Sequence, residues 1–265
     1  MTAHGQNFDL KEEIRAYWSA RAATFDESAS HKIEDTFGLP VWQAFLRQAL
    51  DLPPSGDMEG LEALDLASGT GEISRALCSL NATVTGVDFS ESMHVLAKVK
   101  LAGEHWTPIL SDAENLGTLP DDSFDFAITR HLVWTLTSPL EAFAEWYRVL
   151  RPGGRLVIND GDWMTAFSTS YRIKRWIAQL LAKERPRAPD LLSQDASIRS
   201  RLPYSEGLSA SRLREDVTSQ GFEFLDMLDI APLYQSGMRG HPLATRLRQS
   251  AENRFALVFE KPRSA

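Results

Sequence analysis

The sequence lacks several features that define other classes of protein. Its single cysteine, Cys78, excludes a disulfide bond within the chain, and the residues around it predict a small buried side chain on a helix. No apolar run approaches the roughly 18–20 residues that a membrane-spanning helix needs. The first ten residues are polar and include Asp9, so we expect no secretory signal and a cytoplasmic protein.

Positive charge is also scarce. The chain carries 28 Lys and Arg residues against 36 Asp and Glu residues, a formal net charge of -8 at pH 7. This balance opposes binding to nucleic acid or to an anionic membrane surface. Residues 172–187 form the only basic run, which alternates with apolar residues and therefore predicts a helix face. We expect a small-molecule partner, no nucleic acid, no membrane, and a monomer or homodimer.

Familiar catalytic patterns are missing too. The sequence has no His/Cys cluster with metal-ligand spacing, no Gly-x-Ser-x-Gly elbow and no Gly-Lys-Ser/Thr phosphate loop. We therefore predict no metal site. The composition, 43% hydrophobic and 24% charged, is ordinary for a globular protein, and no linker divides the 265 residues into two domains.

The most informative segment runs from Leu64 to Gly71, with Val87-Asp88 following. A short apolar strand enters a loop of small residues, a helix follows, and a second strand ends in a carboxylate. Small residues let a ligand approach the backbone closely, and Gly tolerates a positive φ. The acid at the end of the second strand can accept both hydroxyls of a ribose. This is the first half of a nucleotide-binding βαβ unit.

The spacing argues against a nicotinamide cofactor. The dinucleotide fingerprint Gly-x-Gly-x-x-Gly/Ala needs a third small residue for close helix–strand packing. That position is Ser74 when counted from Gly69, and Glu72 when counted from Ala67. A nicotinamide oxidoreductase is therefore disfavoured but stays an alternative.

Asp65-x-Ala67-x-Gly69-x-Gly71 resembles motif I of the class I S-adenosylmethionine-dependent methyltransferases, in which Gly usually stands where this chain has Ala67. Further segments resemble later motifs of that family in the same order: residues 83–93, 111–116, 122–128 and 148–158. The resemblance covers about residues 61–162. It is closest in character to methyltransferases that act on small metabolites, quinone precursors and natural products.

The resemblance implies an α/β fold: a Rossmann-like, seven-stranded, mostly parallel sheet with helices on both faces, the seventh strand running antiparallel between strands five and six. The sequence pattern predicts strands at 61–66, 83–88, 106–110, 124–129, 155–160, 222–230 and 255–260. It predicts helices at 11–25, 41–50, 72–80, 90–101, 139–149 and 209–219.

We divide the single domain into two parts. Residues 1–54 are predicted to form an N-terminal helical cap over the carboxyl edge of the sheet, and residues 55–265 the methyltransferase core. Residues 163–208 and 231–253 are too long for plain connections. We interpret the first of these two segments as a helical lid insertion.

The resemblance also implies S-adenosylmethionine as the cofactor. Asp88 is then expected to bind the ribose hydroxyls and Asp112 the adenine amino group, with Phe89 and Met93 on either side of the adenine. The backbone carbonyl of Arg130 is expected to accept from the methionyl ammonium. The full set of predicted cofactor-binding residues is Tyr17, Asp65, Ala67, Ser68, Gly69, Gly71, Asp88, Phe89, Met93, Asp112, Ala113, Glu114 and Arg130.

His131 is the candidate catalytic residue. It follows strand four, where the methyl group is expected, it is the only histidine predicted at that edge, and the ordinary pKa of imidazole suits a general base. A structural, hydrogen-bonded histidine is the alternative. Candidate acceptor-binding residues are Trp18, Phe25, Trp134, Asp160, Asp162 and Trp163. For these, core packing or a solvated loop position is the alternative.

The sequence thus predicts a methyltransferase that uses S-adenosylmethionine on a small metabolite by in-line substitution. Three alternatives stay open: another use of the cofactor on the same fold, such as aminopropyl transfer; a nicotinamide-dependent oxidoreductase; and a non-catalytic cofactor-binding regulator. The sequence does not identify the acceptor or the atom that is methylated.

Overall fold

The computed structural model describes residues 3–162, 176–177 and 196–263. The helices are α1 (Ala3–Arg21), α2 (Gly38–Ala49), α3 (Glu72–Cys78), α4 (Glu91–Lys100), α5 (Pro139–Val149), α6 (Ala210–Thr218), α7 (Ala231–Tyr234) and α8 (Leu243–Gln249). The strands are β1 (Glu62–Leu66), β2 (Thr83–Asp88), β3 (Trp106–Leu110), β4 (Phe124–Arg130), β5 (Leu150–Asp162), β6 (Glu223–Leu228) and β7 (Asn253–Glu260). Most of the predicted lid, including Trp163, lies outside the described residues.

The seven strands form one sheet in the order β3-β2-β1-β4-β5-β7-β6. β1 to β5 pair in parallel, whereas β7 runs antiparallel to both β5 and β6. The predicted fold class, including the place of the seventh strand, is confirmed. From β1 the chain proceeds outward to β2 and β3 and then returns to β4 on the other side. The carboxyl ends of β1 and β4 therefore flank a crevice, where α/β folds bind their ligands.

Helices cover both faces of the sheet because strand residues alternate between faces. Leu64 and Leu66 pack in one core with Phe143 and Trp146 of α5, whereas Ala63 faces the other core. Residues of α2 and α3 fill that second core, among them Trp42, Phe45, Ile73 and Leu77. α2 thus belongs to a helical layer on a sheet face. This differs from the expectation that both N-terminal helices lie over the carboxyl edge, because the apolar side of α2 packs against α3.

α1 and the 3₁₀ turn after it do lie at the carboxyl edge. Lys11 Nζ is 2.6 Å from Asp112 Oδ2, beyond the end of β3. Ser19 Oγ is 2.8 Å from Ser90 Oγ at the start of α4. In the 3₁₀ turn Ala22–Glu27, Asp26 accepts a hydrogen bond from Thr70 Oγ1 at 2.6 Å. These polar contacts hold the N-terminal segment over the loops that follow the strands.

No helix within the described ranges is both long enough and apolar enough to cross a membrane.

Gly71 ends the loop after β1 and precedes α3. Its φ is +84°, and a Cβ built there would lie 2.8 Å from Leu101 Cδ1 and 3.3 Å from Ala97 Cβ. The residue therefore meets two requirements that only glycine satisfies: a left-handed backbone and a close approach to α4. Gly60 has a similar φ, +79°, but a Cβ there would meet nothing within 4 Å.

This pair gives a test of the packing at the loop. We expect Gly60→Ala to lower the free energy of unfolding by about 1–2 kcal/mol, the cost of a left-handed backbone. We expect Gly71→Ala to lose about 1–3 kcal/mol more, because its Cβ overpacks against α4. Urea denaturation of both variants measures the difference. Equal losses would contradict the close approach between loop and helix.

Candidate cofactor and acceptor site

The loop after β1 alternates in backbone conformation. Ala67, Gly69 and Gly71 have φ values of 59°, 54° and 84°, with ordinary conformations between them. Positive φ is uncommon for a residue with a Cβ, so Ala67 is held there by its surroundings. The Ser68 N–H donates to the Val87 carbonyl at 2.9 Å. The loop therefore turns back against the end of β2.

Asp88 lies where this loop meets β2. Its Oδ2 accepts from the Gly69 N–H and its Oδ1 from the Ser90 N–H, each at 2.8 Å. Burial raises the pKa of this carboxyl to about 6, although the backbone donors favour its charged form. A carboxylate has about four lone-pair positions. Each oxygen of Asp88 can therefore accept one more donor, as two ribose hydroxyls would require.

Asp65, the acid of motif I, is almost completely buried on β1. Its Oδ2 accepts a hydrogen bond from Ser74 Oγ at 2.6 Å. Burial raises its pKa to about 6, and the hydrogen bond from Ser74 and the Arg130 guanidinium oppose that rise. Ser74 occupies the position where the dinucleotide fingerprint has a small residue. In this chain the residue serves to orient the motif acid.

Arg130 ends β4 at the same edge. The sequence pointed to its backbone carbonyl, but its side chain also belongs to the site. One guanidinium N–H donates to the His31 carbonyl at 2.6 Å, and the group lies 5.3 Å from the centre of the Trp42 ring. Burial lowers the pKa of this guanidinium, and the carboxylates of Asp65 and Glu72 oppose that change by favouring its charged form. The sequence analysis did not predict a role for this side chain. The one indication in the sequence is that Arg130 directly follows the predicted strand 124–129.

These elements enclose a cavity, which we call the central cavity. Its lining is Trp18, Phe25, His31, Asp65, Ala67, Ser68, Gly69, Thr70, Glu72, Ile73, Asp88, Phe89, Met93, Arg130, His131, Leu132 and Thr135. Eleven of the predicted site residues are in this set. Gly71 is not part of this lining, because it packs against α4.

A second cavity adjoins the first, and the two share Ala67, Asp88 and Phe89 in their linings. We call it the Asp112 cavity. Asp112, Ala113 and Glu114 line it, together with Lys11, Ile14, Leu132, Thr135, Leu136 and Thr137. The resemblance predicted that Asp112, Ala113 and Glu114 bind the cofactor. All three share this cavity with Asp88, whereas Arg130 and Asp65 line the central cavity only.

The two acids of this loop share Lys11, whose Nζ is also 3.0 Å from Glu114 Oε2, but they differ in their other partners. Glu114 is buried and accepts from the backbone N–H groups of Thr137 and Ser138, at 2.6 and 2.9 Å. It thus fixes the loop before α5. Asp112 is more exposed and accepts from Lys11 Nζ at 2.6 Å and from the Glu114 N–H at 2.9 Å. Asp112 keeps lone pairs for a further donor, and Lys11 is a neighbour that the sequence did not indicate.

His131 has an unusual backbone for a histidine, with φ of 62°. Its N–H donates to the Asn159 carbonyl at 2.9 Å, and its own carbonyl accepts from Trp134 Nε1 at 3.0 Å. Burial lowers its pKa well below the ordinary value, and the charges of Arg254 and Arg130 lower it further. The imidazole is therefore neutral at pH 7, and its pKa is lower than the ordinary value on which the sequence analysis relied.

His31, from the N-terminal cap, is a second histidine at this edge beside His131 of the core. Its ring stacks on Phe25 at 3.9 Å and lies 6.0 Å from the His131 ring. Its Nδ1 is 3.0 Å from the Phe25 carbonyl, and burial, with the Arg130 charge, lowers its pKa to about 3. No sequence motif marks His31, which reaches the site only through the fold of the N-terminal segment.

A third cavity, of 220 Å³, adjoins the central cavity; we call it the tryptophan cavity. Its lining is Tyr17, Trp18, Arg21, Ser28, Ser30, His31, His131, Trp134, Arg199, Glu252 and Arg254. It shares Trp18, His31 and His131 with the central cavity. Tyr17 was expected to contact the cofactor but lines this third cavity, where its hydroxyl accepts from Arg21 at 2.8 Å.

The predicted acceptor residues separate into two groups. Trp18 and Trp134 line the tryptophan cavity, and Phe25 lines the central one. Asp160 is completely buried, and its carboxylate accepts from the Val133 and Gly161 N–H groups at 2.7 and 2.8 Å. It therefore holds the loop after β4 rather than facing a substrate. Asp162 is buried as well, and neither acid lines any of the three cavities described above.

The pKa of His31 makes stability sensitive to acid. A histidine whose folded pKa lies below its unfolded value stabilises the fold above pH 6.5 and loses that contribution as the pH falls. At pH 5.5 we expect a loss of about 1.4 kcal/mol from a single such residue. His31→Phe, which keeps an aromatic ring on Phe25, is expected to lose less on acidification than the parent chain.

Urea denaturation at pH 7.5 and 5.5 measures this effect. His105→Gln is the matched control, because His105 is exposed and its replacement should leave the pH dependence unchanged. Identical acid sensitivity in the parent chain and in His31→Phe would contradict the neutral, buried state of His31.

Comparison with known proteins agrees with this geometry. Residues 64–158 match a family model described as a methyltransferase domain. The chain is 35% identical over 138 residues to a demethylmenaquinone methyltransferase of Clavibacter sepedonicus, covering 52% of this chain and 56% of the relative. It is 35% identical over 121 residues to a ubiquinone/menaquinone biosynthesis C-methyltransferase of Desulfotalea psychrophila, covering 45% and 47%. The chain thus spans about half the length of these curated relatives.

Solved structures share the fold. An S-adenosylmethionine-dependent methyltransferase of Aquifex aeolicus superposes with a TM-score of 0.55 at 18% identity, over 92% of this chain and 98% of that one. One from Mesorhizobium loti gives 0.57 at 20% identity, over 84% and 100%. Residues 64–158 thus match a methyltransferase domain, and the chain has the fold of the class I S-adenosylmethionine-dependent methyltransferases.

Proposed function

We propose that this protein transfers a methyl group from S-adenosylmethionine to a small-molecule acceptor. One observation carries the proposal: the central cavity, at the carboxyl ends of β1, β2 and β4, adjoins the tryptophan cavity, and the two share Trp18, His31 and His131 in their linings. One cavity offers the groups that a nucleoside and an amino acid need, and the other can hold an acceptor. When bound, S-adenosylmethionine supplies an electrophilic methyl carbon on a sulfonium, which transfer converts to a neutral thioether.

The residues of the first two cavities suit that cofactor. Asp88 would accept from the ribose hydroxyls, and Asp112 from the adenine amino group, with Phe89 between these two acids. Asp65 would balance the methionyl ammonium, and the Arg130 guanidinium would bind the carboxylate. The charges of the lining thus match a ligand that carries both signs at one end and a neutral base at the other.

His131 lies on the boundary of the two cavities, and we propose that it accepts a proton from the acceptor as the new bond forms. Its imidazole is neutral at pH 7 because burial and two arginines disfavour the charged form. It is therefore unprotonated in the neutral range, and the same burial makes it a weaker base than free imidazole. Positioning of acceptor and cofactor would supply most of the rate, since an in-line substitution gains about 7–11 kcal/mol from alignment.

A flat, aromatic acceptor suits the walls of the tryptophan cavity. The Trp18 and Trp134 rings meet edge to face, with their centres 6.5 Å apart, and each offers an apolar surface to a planar ring. The relatives named above carry quinones in their names, which is consistent with such an acceptor. Incubation of the protein with methyl-labelled S-adenosylmethionine and a metabolite extract, followed by mass spectrometry, tests the function directly. The absence of any labelled product would contradict it.

Asp88→Asn tests the cofactor site. We expect S-adenosylhomocysteine to bind about tenfold or more weakly, because charge-assisted hydrogen bonds to the ribose are lost. In the parent chain the affinity should also fall as the pH drops from 7 to 5, since a carboxyl with a pKa of about 6 becomes protonated there and loses its charge. Calorimetry at several pH values measures both effects.

The matched control is Asp57→Asn, which changes an exposed acid and should leave affinity and pH dependence unaltered. Asp65, whose pKa is also about 6, accounts for the part of the pH dependence that persists in Asp88→Asn. Unchanged affinity in a folded Asp88→Asn protein would remove the ribose assignment.

His131→Asn tests the proton acceptor, because Asn tolerates the positive φ of this position. With the acceptor from the labelled screen, we expect kcat to fall about 10²–10⁴-fold and the affinity for S-adenosylhomocysteine to stay the same. At saturating S-adenosylmethionine, the parent kcat should show no titration step of His131 near neutral pH, because burial lowers its pKa well below the ordinary value. A fully active His131→Asn enzyme would leave the residue with a structural role only.

A further inference from the structure

His31 has a ring nitrogen that the contacts of the N-terminal cap do not use. We propose that His31 determines the specificity for the acceptor, because its Nε2 accepts a hydrogen bond from a hydroxyl group that the acceptor carries. This inference rests on the proposed function in one respect, namely that the molecule bound beside His31 is the methyl acceptor. The hydrogen-bonding capacity itself follows from the geometry of His31.

The contact between the His31 ring and Phe25 fixes the tautomer of the imidazole. Nδ1 is 3.0 Å from the Phe25 carbonyl oxygen, which can only accept a hydrogen bond. Nδ1 must therefore carry the proton, and in a neutral imidazole Nε2 then holds a lone pair. The ring is neutral at pH 7, because burial and the charge of Arg130 lower its pKa to about 3. Nε2 is thus a hydrogen-bond acceptor in the neutral range.

The orientation of this ring is also fixed. It stacks on the Phe25 ring, with the ring centres 3.9 Å apart and an angle of 13° between the planes. The backbone N–H of His31 donates to the Ser28 carbonyl at 2.9 Å, and its own carbonyl accepts from Arg130 at 2.6 Å. A side chain held in this way presents its lone pair in one direction, which lowers the entropy cost of binding a donor.

Within the described ranges, no residue forms a hydrogen bond with Nε2 of His31. The bonds of Nδ1 and of the backbone account for the place of His31 in the cap, but they give Nε2 no role. His31 lines both the central cavity and the tryptophan cavity, so a donor bound to it would lie at their boundary. In the proposed reaction the methyl group passes across this boundary, where the centre of the His131 ring is 6.0 Å from that of His31.

A neutral hydroxyl suits this position better than an ammonium group. Burial and the Arg130 charge disfavour a proton on His31 itself, and they would disfavour a cationic donor at the same place. A hydroxyl avoids that cost and supplies the single proton that one lone pair accepts. The Trp18 ring meets both Phe25 and Trp134 edge to face, and such aromatic walls favour a hydroxyl borne on a planar ring. The inferred acceptor is therefore a hydroxylated aromatic compound.

Three matched aromatic probes test the inference: p-cresol, which can donate a hydrogen bond; p-methylanisole, which can only accept one; and p-methylbenzylamine, which is a cation at pH 7. Ligand-observed NMR titrations give the Kd of each, with and without saturating S-adenosylhomocysteine. We expect the cresol to bind about tenfold more tightly than the ether, and the amine to bind no better than the ether. Equal affinity for cresol and ether, or a preference for the amine, would overturn the inference.

His31→Phe removes the lone pair and keeps an aromatic ring on Phe25. It should weaken the binding of cresol about tenfold and leave that of the ether unchanged. His31→Gln, whose amide can present an oxygen in place of Nε2, should retain part of the preference. A folded His31→Phe protein that keeps the full preference would contradict the role of His31. The probe comparison in the parent chain tests the inference even if His31→Phe does not fold.

His105→Gln is the matched control, because His105 is exposed and lines none of the three cavities. It should bind all three probes like the parent chain. Failure of the inference and failure of the proposed function give different results. Binding of S-adenosylhomocysteine together with equal affinity for cresol and ether would overturn the hydroxyl site and leave the methyl transfer in place. A preference for cresol that depends on His31, in a protein that does not bind S-adenosylhomocysteine, would support the hydroxyl site and contradict the methyl transfer.

Discussion

The hydrogen bond from the Gly69 N–H to Asp88 Oδ2 links the two elements on which the site depends. β1 and β2 are parallel and pair Leu66 with Val87, so the loop after one strand and the acid after the other lie at the same edge. The bond fixes the loop against that acid, and the loop in turn forms the floor of the central cavity. Residues 67, 69 and 71 adopt left-handed backbone conformations in this turn, and such conformations cost free energy.

The N-terminal segment completes the site from above. Lys11, Ser19 and Asp26 each contact a different loop at the carboxyl edge, which brings Trp18 and His31 over the ends of the strands. Without this segment the central cavity would lack one wall, and it would have no shared boundary with the tryptophan cavity. The separation of the two cavities is therefore a product of the cap rather than of the sheet.

Burial shifts the pKa values of the acids and of the histidines of the site in opposite directions. It raises the pKa of Asp65 and Asp88 and lowers that of His31 and His131, because in each case it disfavours the charged form. Asp65 and Asp88 line the central cavity together with Arg130, whereas Arg21, Arg199 and Arg254 line the tryptophan cavity. The charge of an arginine persists at any accessible pH.

The sequence by itself determined the order of the strands, the helices as far as α6, and the place of the small-residue loop and of Asp88, because these depend on periodicity and on residues close together in the chain. The short helices α7 and α8 were not predicted. The packing of α2 on a sheet face, the stacking of His31 on Phe25, and the structural role of Asp160 were decided only by the tertiary structure. Arg199 reaches Trp134 across 65 residues, and no local pattern encodes such a contact. Motifs report local geometry, whereas the acceptor side is assembled from distant segments whose positions follow from how whole helices pack.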